Sequence, residues 1–101
     1  MGETLSDQQV HDAGLSGWAL RDDALHLHCA TGDFATGLAL VNEVGAAAED
    51  ANHHPDIDLR YGEVTIRLSS HDVGGVSERD VALARRISEL AAGAGVKTTA
   101  G

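Results

Sequence analysis

The residue pattern predicts an α+β domain with a two-layer architecture: a four-stranded antiparallel sheet carrying three helices on one face, in the order α-β-β-α-β-β-α. Three observations point there. Two stretches alternate apolar and polar residues on either side of a tight turn, the period of paired half-buried strands. Between and after them, apolar residues recur at helical spacing. Gly14, Pro55, Gly74-Gly75 and Gly93 punctuate the joints.

Taken in order, Ser6 or Asp7 can cap a short helix over residues 8–13, which Gly14 ends. Trp18-Ala19-Leu20-Arg21 runs into the turn pair Asp22-Asp23, and Leu25, Leu27 and Cys29 then alternate with His26 and His28. Strand, tight turn, strand reads as a hairpin. From Asp33, a reasonable N-cap, the period becomes helical, with Phe34, Leu38, Val41 and Val44 or Gly45 as the stripe. That helix should end near Asn52, because Pro55 pushes the residue before it out of helical geometry.

In the second hairpin Ile57, Leu59 and Tyr61 alternate, Gly62-Glu63 turns, and Val64, Ile66 and Leu68 alternate again. Strand parity puts His71 on the side away from that last apolar row. Ser77-Glu78-Arg79-Asp80 has the form of a capping box with Asp in the third helical position. Leu83, Ile87, Leu90 and Ala94 form the stripe of the last helix. The 101 residues make a single domain, 1–101, with 1–5 and 97–101 expected to fray.

Composition excludes several roles. Lys and Arg number 7 against 16 acidic residues, a net charge of −9 that repels a phosphate backbone, so nucleic acid and anionic membrane are not expected partners. One Trp, one Tyr and one Phe leave little for stacking on bases. Cys29 is the only cysteine, which rules out an intrachain disulfide and suits a reducing compartment. The first residues show no basic n-region followed by an apolar run, and no apolar stretch approaches the roughly 20 residues that span a bilayer. The expectation is a soluble cytoplasmic domain.

The chemistry concentrates in Asn52-His53-His54-Pro55 and His71. Histidine is the side chain whose charge changes near neutral pH, so three imidazoles around one cavity suit proton transfer. Two other readings stand beside this one. One ring of the adjacent pair can face the core with a satisfied hydrogen bond while the other is solvated. Three imidazoles with an open position would also suit a catalytic zinc, although the chain has neither an HExxH nor a CxxC motif. His11, His26 and His28 fall outside this group, and the last two decorate a strand surface.

Wider spacing makes the pattern specific. Glu49 is followed after three residues by His53-His54-Pro55, after five by Tyr61, after nine by His71 and after eight by Asp80. This series, with Ser70-His71-Asp72-Val73-Gly74-Gly75-Val76-Ser77-Glu78-Arg79-Asp80, resembles the pterin-4a-carbinolamine dehydratases over nearly the whole chain. The resemblance implies a hydro-lyase that dehydrates 4a-hydroxytetrahydrobiopterin or a related 4a-hydroxytetrahydropterin to the quinonoid dihydropterin. It implies His53, His54 and His71 as catalytic residues, without metal or cofactor. Glu49, His53, His54, Pro55, Ser70, His71, Asp72 and Val73 would bind the pterin, and Asp80 would cap its helix and steady the His71 loop. The resemblance also implies a homodimer or homotetramer. A non-catalytic assembly or dimerisation factor of the same fold is the alternative. Asn52 departs from family members that carry an acidic residue before the histidine pair.

Overall fold

The computed structural model describes residues 4–15 and 17–100. The elements run α1 (Asp7–Asp12), β1 (Ala19–Arg21), β2 (Ala24–Ala30), α2 (Phe34–Ala51), β3 (Asp56–Arg60), β4 (Glu63–Leu68), α3 (Glu78–Gly93) and β5 (Lys97–Ala100). The predicted α+β order holds, with one strand added at the end.

All strand pairs are antiparallel. The path is β1-β2-β4-β3, and β5 pairs with β2 as well. Ser6 caps α1 by accepting from the Gln9 N–H. Asp22 and Asp23 both take positive φ, 52° and 61°, as a two-residue turn matched to strand twist requires. The second hairpin closes through Arg60 opposite Glu63, so its turn is Tyr61-Gly62. Tyr61 therefore leaves the inward row assigned to it and lies 72% exposed.

Among the described residues the sheet has five strands, not four, and residues 97–100 pair as a strand instead of fraying. Three-residue β1 covers β2 only from Ala24 to His26. The rest of that edge, Leu27 to Ala30, would expose unpaired backbone, and Lys97–Ala100 fills it. Gly101 lies outside the described residues, as do residues 1–3. Leu5 is tied down, its N–H donating to the Val76 carbonyl at 2.7 Å.

Register puts Leu25, Leu27 and Cys29 of β2 opposite Leu68, Ile66 and Val64 of β4, all buried on one face. Val10, Leu40, Val44, Ala48, Leu83, Ala84 and Ile87 complete a single core, so the three helices share that face. Burial raises the Cys29 thiol to about 11 by desolvation, which keeps it a small inert hydrophobe.

The buried stripe of α2 differs from the expected one. Gly37, Leu40, Val44 and Ala48 face the core, whereas Phe34 and Leu38 are 45% and 44% exposed. The reason is close approach: a Cβ on Gly37 would stand 2.9 Å from Leu59 Cδ1. A small residue at position 37 lets the helix sit down on β3 with Leu40 and Val44 facing the core, and Phe34 and Leu38 turn outward. Among the described residues, no helix is long and apolar enough to cross a membrane.

Candidate functional site

The site begins where α2 stops. Asn52 adopts φ 51°, ψ 41°, a left-handed conformation that asparagine tolerates better than most residues. The Asn52 N–H donates to the Glu49 carbonyl and the His53 N–H to the Ala48 carbonyl, both at 3.1 Å. This is a Schellman closure. It explains a neutral amide at position 52, and it throws the two following histidines in different directions.

His53 turns inward. Its Nε2 lies 2.5 Å from Asp80 Oδ1, with the ring 11% exposed and the carboxylate fully buried. The other carboxylate oxygen, Oδ2, accepts from Ser70 Oγ at 2.7 Å and from the Ser77 N–H at 2.9 Å. The Ser70 and Ser77 hydroxyls also bond each other at 2.7 Å. Asp80 thus completes the cap expected of it and does a second thing: it grips a histidine 27 residues away. With Nε2–H committed to the carboxylate, Nδ1 of His53 is the nitrogen left for chemistry.

His54 turns outward, its Nε2 2.5 Å from Glu49 Oε2, with both side chains more than half exposed. The Glu49 carboxylate therefore meets an imidazole five residues on, just past the helix end. Pro55 is half-buried beside them.

His71 lies beyond β4, which ends at Leu68, in a turn and not at a strand end. A Ser70–Gly75 bridge pinches the turn, with Ser70 N–H to Gly75 O at 2.7 Å and Gly75 N–H to Ser70 O at 3.3 Å. Inside it, Val73 N–H donates to Ser70 O and Gly74 N–H to His71 O, both at 3.2 Å. His71 and Asp72 are exposed and Val73 is half-buried. Asp72 Oδ1 meets Arg79 Nη2 at 2.5 Å. The Arg79 guanidinium holds the Asp72 carboxyl below the ordinary carboxylate range, and charge on His53 acts in the same direction. Asp80, bonded to both His53 and Ser70, links His53 to the start of the His71 turn.

One network therefore joins His53, Asp80, Ser70 and Ser77 and reaches the turn carrying His71. Glu49 and His54 form a separate pair on the outside. Beside His53 lies a cavity of about 390 Å³ between the end of α2 and the start of α3, lined by Ala47, Asp50, Ala51, Arg79, Ala82, Leu83 and Arg86. That volume is in the range of small-molecule sites. Among the described residues, no group of three His, Cys, Asp or Glu side chains is placed to hold a metal ion.

Sequence reasoning missed the His53–Asp80 pair, the Ser70–Ser77 hydroxyl contact and Arg79. One signal was present. Asp in place of Glu at the third position of a capping box puts a short carboxylate close to the helix start.

The family model described as pterin 4 alpha carbinolamine dehydratase matches residues 3–90. A Koribacter versatilis protein provisionally named pterin-4-alpha-carbinolamine dehydratase is 42% identical, covering 89% of this chain and 98% of its own. A Nocardia farcinica protein with the same provisional name is 45% identical over 88% of this chain and 96% of its own. Among solved structures, a Brucella melitensis protein described as a transcriptional coactivator/pterin dehydratase superposes with TM-score 0.83 at 28% identity, covering 88% of this chain and 99% of that one. A pterin dehydratase-like protein described as a RuBisCO assembly factor of the alpha-carboxysome superposes with TM-score 0.60 at 27% identity, covering 73% and 86%.

Proposed function

The chain belongs to the pterin-4a-carbinolamine dehydratase family, and from that premise we propose that it is a hydro-lyase acting on a 4a-hydroxytetrahydropterin, such as 4a-hydroxytetrahydrobiopterin. Water leaves as the bond from ring carbon to hydroxyl oxygen breaks. A proton is removed from ring nitrogen, and its electron pair forms the carbon–nitrogen double bond of the quinonoid dihydropterin. One imidazole takes the nitrogen proton and another delivers a proton to the departing hydroxyl. Electrons stay within the substrate, so the reaction calls for no redox partner.

The observation that carries this reading is the His53–Asp80 pair. A buried carboxylate fixes one imidazole tautomer and stabilises the imidazolium when it forms, which a histidine needs to cycle protons. Burying such a pair costs solvation and gives little net stability, so a purely structural purpose accounts for it poorly. His71 presents a second imidazole on a turn fastened to the same carboxylate through Ser70. His54, paired with Glu49, assists from outside, and Pro55, Ser70, Asp72 and Val73, which match positions that line the pterin in the family, would contact the ring through backbone groups. The assay is dehydration of a 4a-hydroxytetrahydropterin, compared with the spontaneous rate in the same buffer.

The assembly-factor reading, the role in which one structural neighbour is described, places function on a surface and has no use for an oriented imidazole. Association of copies is compatible with catalysis. Among the described residues the outer sheet face carries no helix, and α2 leaves Phe34 and Leu38 about half exposed. Light scattering should give two or four times the mass of one chain, and Leu38→Glu should lower it. A wild-type monomer would contradict the homo-oligomer.

A further inference from the structure

We propose that Arg79 is a positioning residue for His71, acting through Asp72. The inference rests on the dehydratase reading, in which His71 is an acid or a base. An exposed histidine on a turn needs something to hold its ring in place. The core does not reach it, and its ring makes no side-chain hydrogen bond among the described residues.

Its two sequence neighbours are held instead. Ser70, before it, is bonded at 2.7 Å to Asp80. Asp72, after it, is bonded at 2.5 Å to Arg79. Residues 79 and 80 are consecutive in the first turn of α3, so a single helical turn grips both flanks of His71. The same Asp80 also grips His53. Two imidazoles that flank the open end of the β3–β4 hairpin are thereby referenced to one rigid platform, and productive geometry depends on such fixed relative placement.

The Asp72–Arg79 pair is exposed, with Asp72 at 64% and Arg79 at 49%, but the guanidinium has a second partner. Arg79 Nε also reaches Ser77 Oγ at 3.4 Å, which anchors the guanidinium on its own helix. The guanidinium lowers the Asp72 carboxyl, so the pair stays ionised above the acid range. Nor does the fold depend on it. The Ser70–Gly75 backbone bonds close the turn without Arg79, so removing the side chain should loosen the tip and leave the domain folded. This separates positioning from structure.

The experiment compares wild type with Arg79→Gln, Arg79→Lys, Asp72→Asn and the double variant Asp72→Asn/Arg79→Gln. Carboxyl and imidazole titrations by NMR are read alongside kcat and KM. Arg79→Gln should raise the Asp72 titration towards the ordinary carboxylate range and broaden the His71 ring signals. It should lower kcat about tenfold with KM changed by less than about twofold, because the interaction orients a reacting group and does not bind substrate. Arg79→Lys should recover part of kcat. Asp72→Asn should match Arg79→Gln in kcat, and the double variant should lose nothing more. Unchanged Asp72 titration and unchanged kcat in Arg79→Gln would overturn the proposal, as would a raised KM at constant kcat. Should the wild-type chain fail to dehydrate the pterin, the dehydratase reading falls on its own, while the Asp72 titration and His71 line shapes still decide the clasp.

Discussion

Asp80→Asn should lower dehydration by about 10²–10⁴-fold, the range general acid–base assistance supplies, while the protein still folds at reduced stability. The carboxylate is fully buried and serves three partners: His53 through Oδ1, and Ser70 and the Ser77 N–H through Oδ2. An amide keeps one acceptor oxygen and turns the other position into a donor. If the new NH₂ faces His53, Nε2 must become the acceptor, Nδ1 then carries the proton, and the free lone pair is lost. If it faces Ser77 instead, the cap is broken and a buried N–H loses its acceptor, costing about 1–3 kcal/mol. Asp80→Ala removes all three bonds and strips a buried partner, which should cost about 3–5 kcal/mol. Against a typical total of about 5–15 kcal/mol, that variant is close to unfolding, so Asn is the informative change. Denaturation midpoints and kcat on the same samples check both parts. Asp80→Asn with wild-type kcat would remove Asp80 from the chemistry and leave it a helix cap.

His53→Ala and His71→Ala should each lower the rate by about 10²–10⁴-fold, and the double variant should fall far short of the product of the two losses, because residues acting as a unit are not additive. Stability should separate them. His53→Ala leaves a buried carboxylate oxygen without its partner and lowers the denaturation midpoint. His71 is exposed and supports no core contact, so its loss should leave the midpoint unchanged. Each single variant should also lose one limb of the wild-type pH–rate profile, since each limb reports one of the two proton-transfer groups. Equal midpoints for both variants would mean that His53 contributes nothing to the fold through Asp80.

Much of this was legible because it is local. Alternation gave the hairpins, Asp33 and Ser6 gave helix starts, and Asn52-His53-His54-Pro55 gave a helix exit. What was not legible depends on partners distant in sequence. The periodicity of α2 supports two apolar stripes, and only the approach of Leu59 to Gly37 decides which one is buried. Tyr61 continues an alternation that the Arg60–Glu63 register cuts short. Lys97-Thr98-Thr99-Ala100 has no apolar alternation at all and forms a strand because β1 is too short to cover β2. Asp80 reads as a cap because its cap partner is three residues away, whereas His53 and Ser70 reach it only through the fold. The resemblance of the spaced series from Glu49 to Asp80 named these residues without saying which touch. The structure ties His53 to Asp80 and Glu49 to His54, and it leaves His71 on a pinched turn.

The central claim is that His53 and His71 move protons to remove water from a 4a-hydroxytetrahydropterin. The most direct measurement follows quinonoid dihydropterin formation from freshly generated 4a-hydroxytetrahydropterin, with and without the wild-type protein. The account predicts acceleration that scales with protein concentration and that His53→Ala and His71→Ala abolish. A wild-type rate equal to that of buffer alone would contradict it.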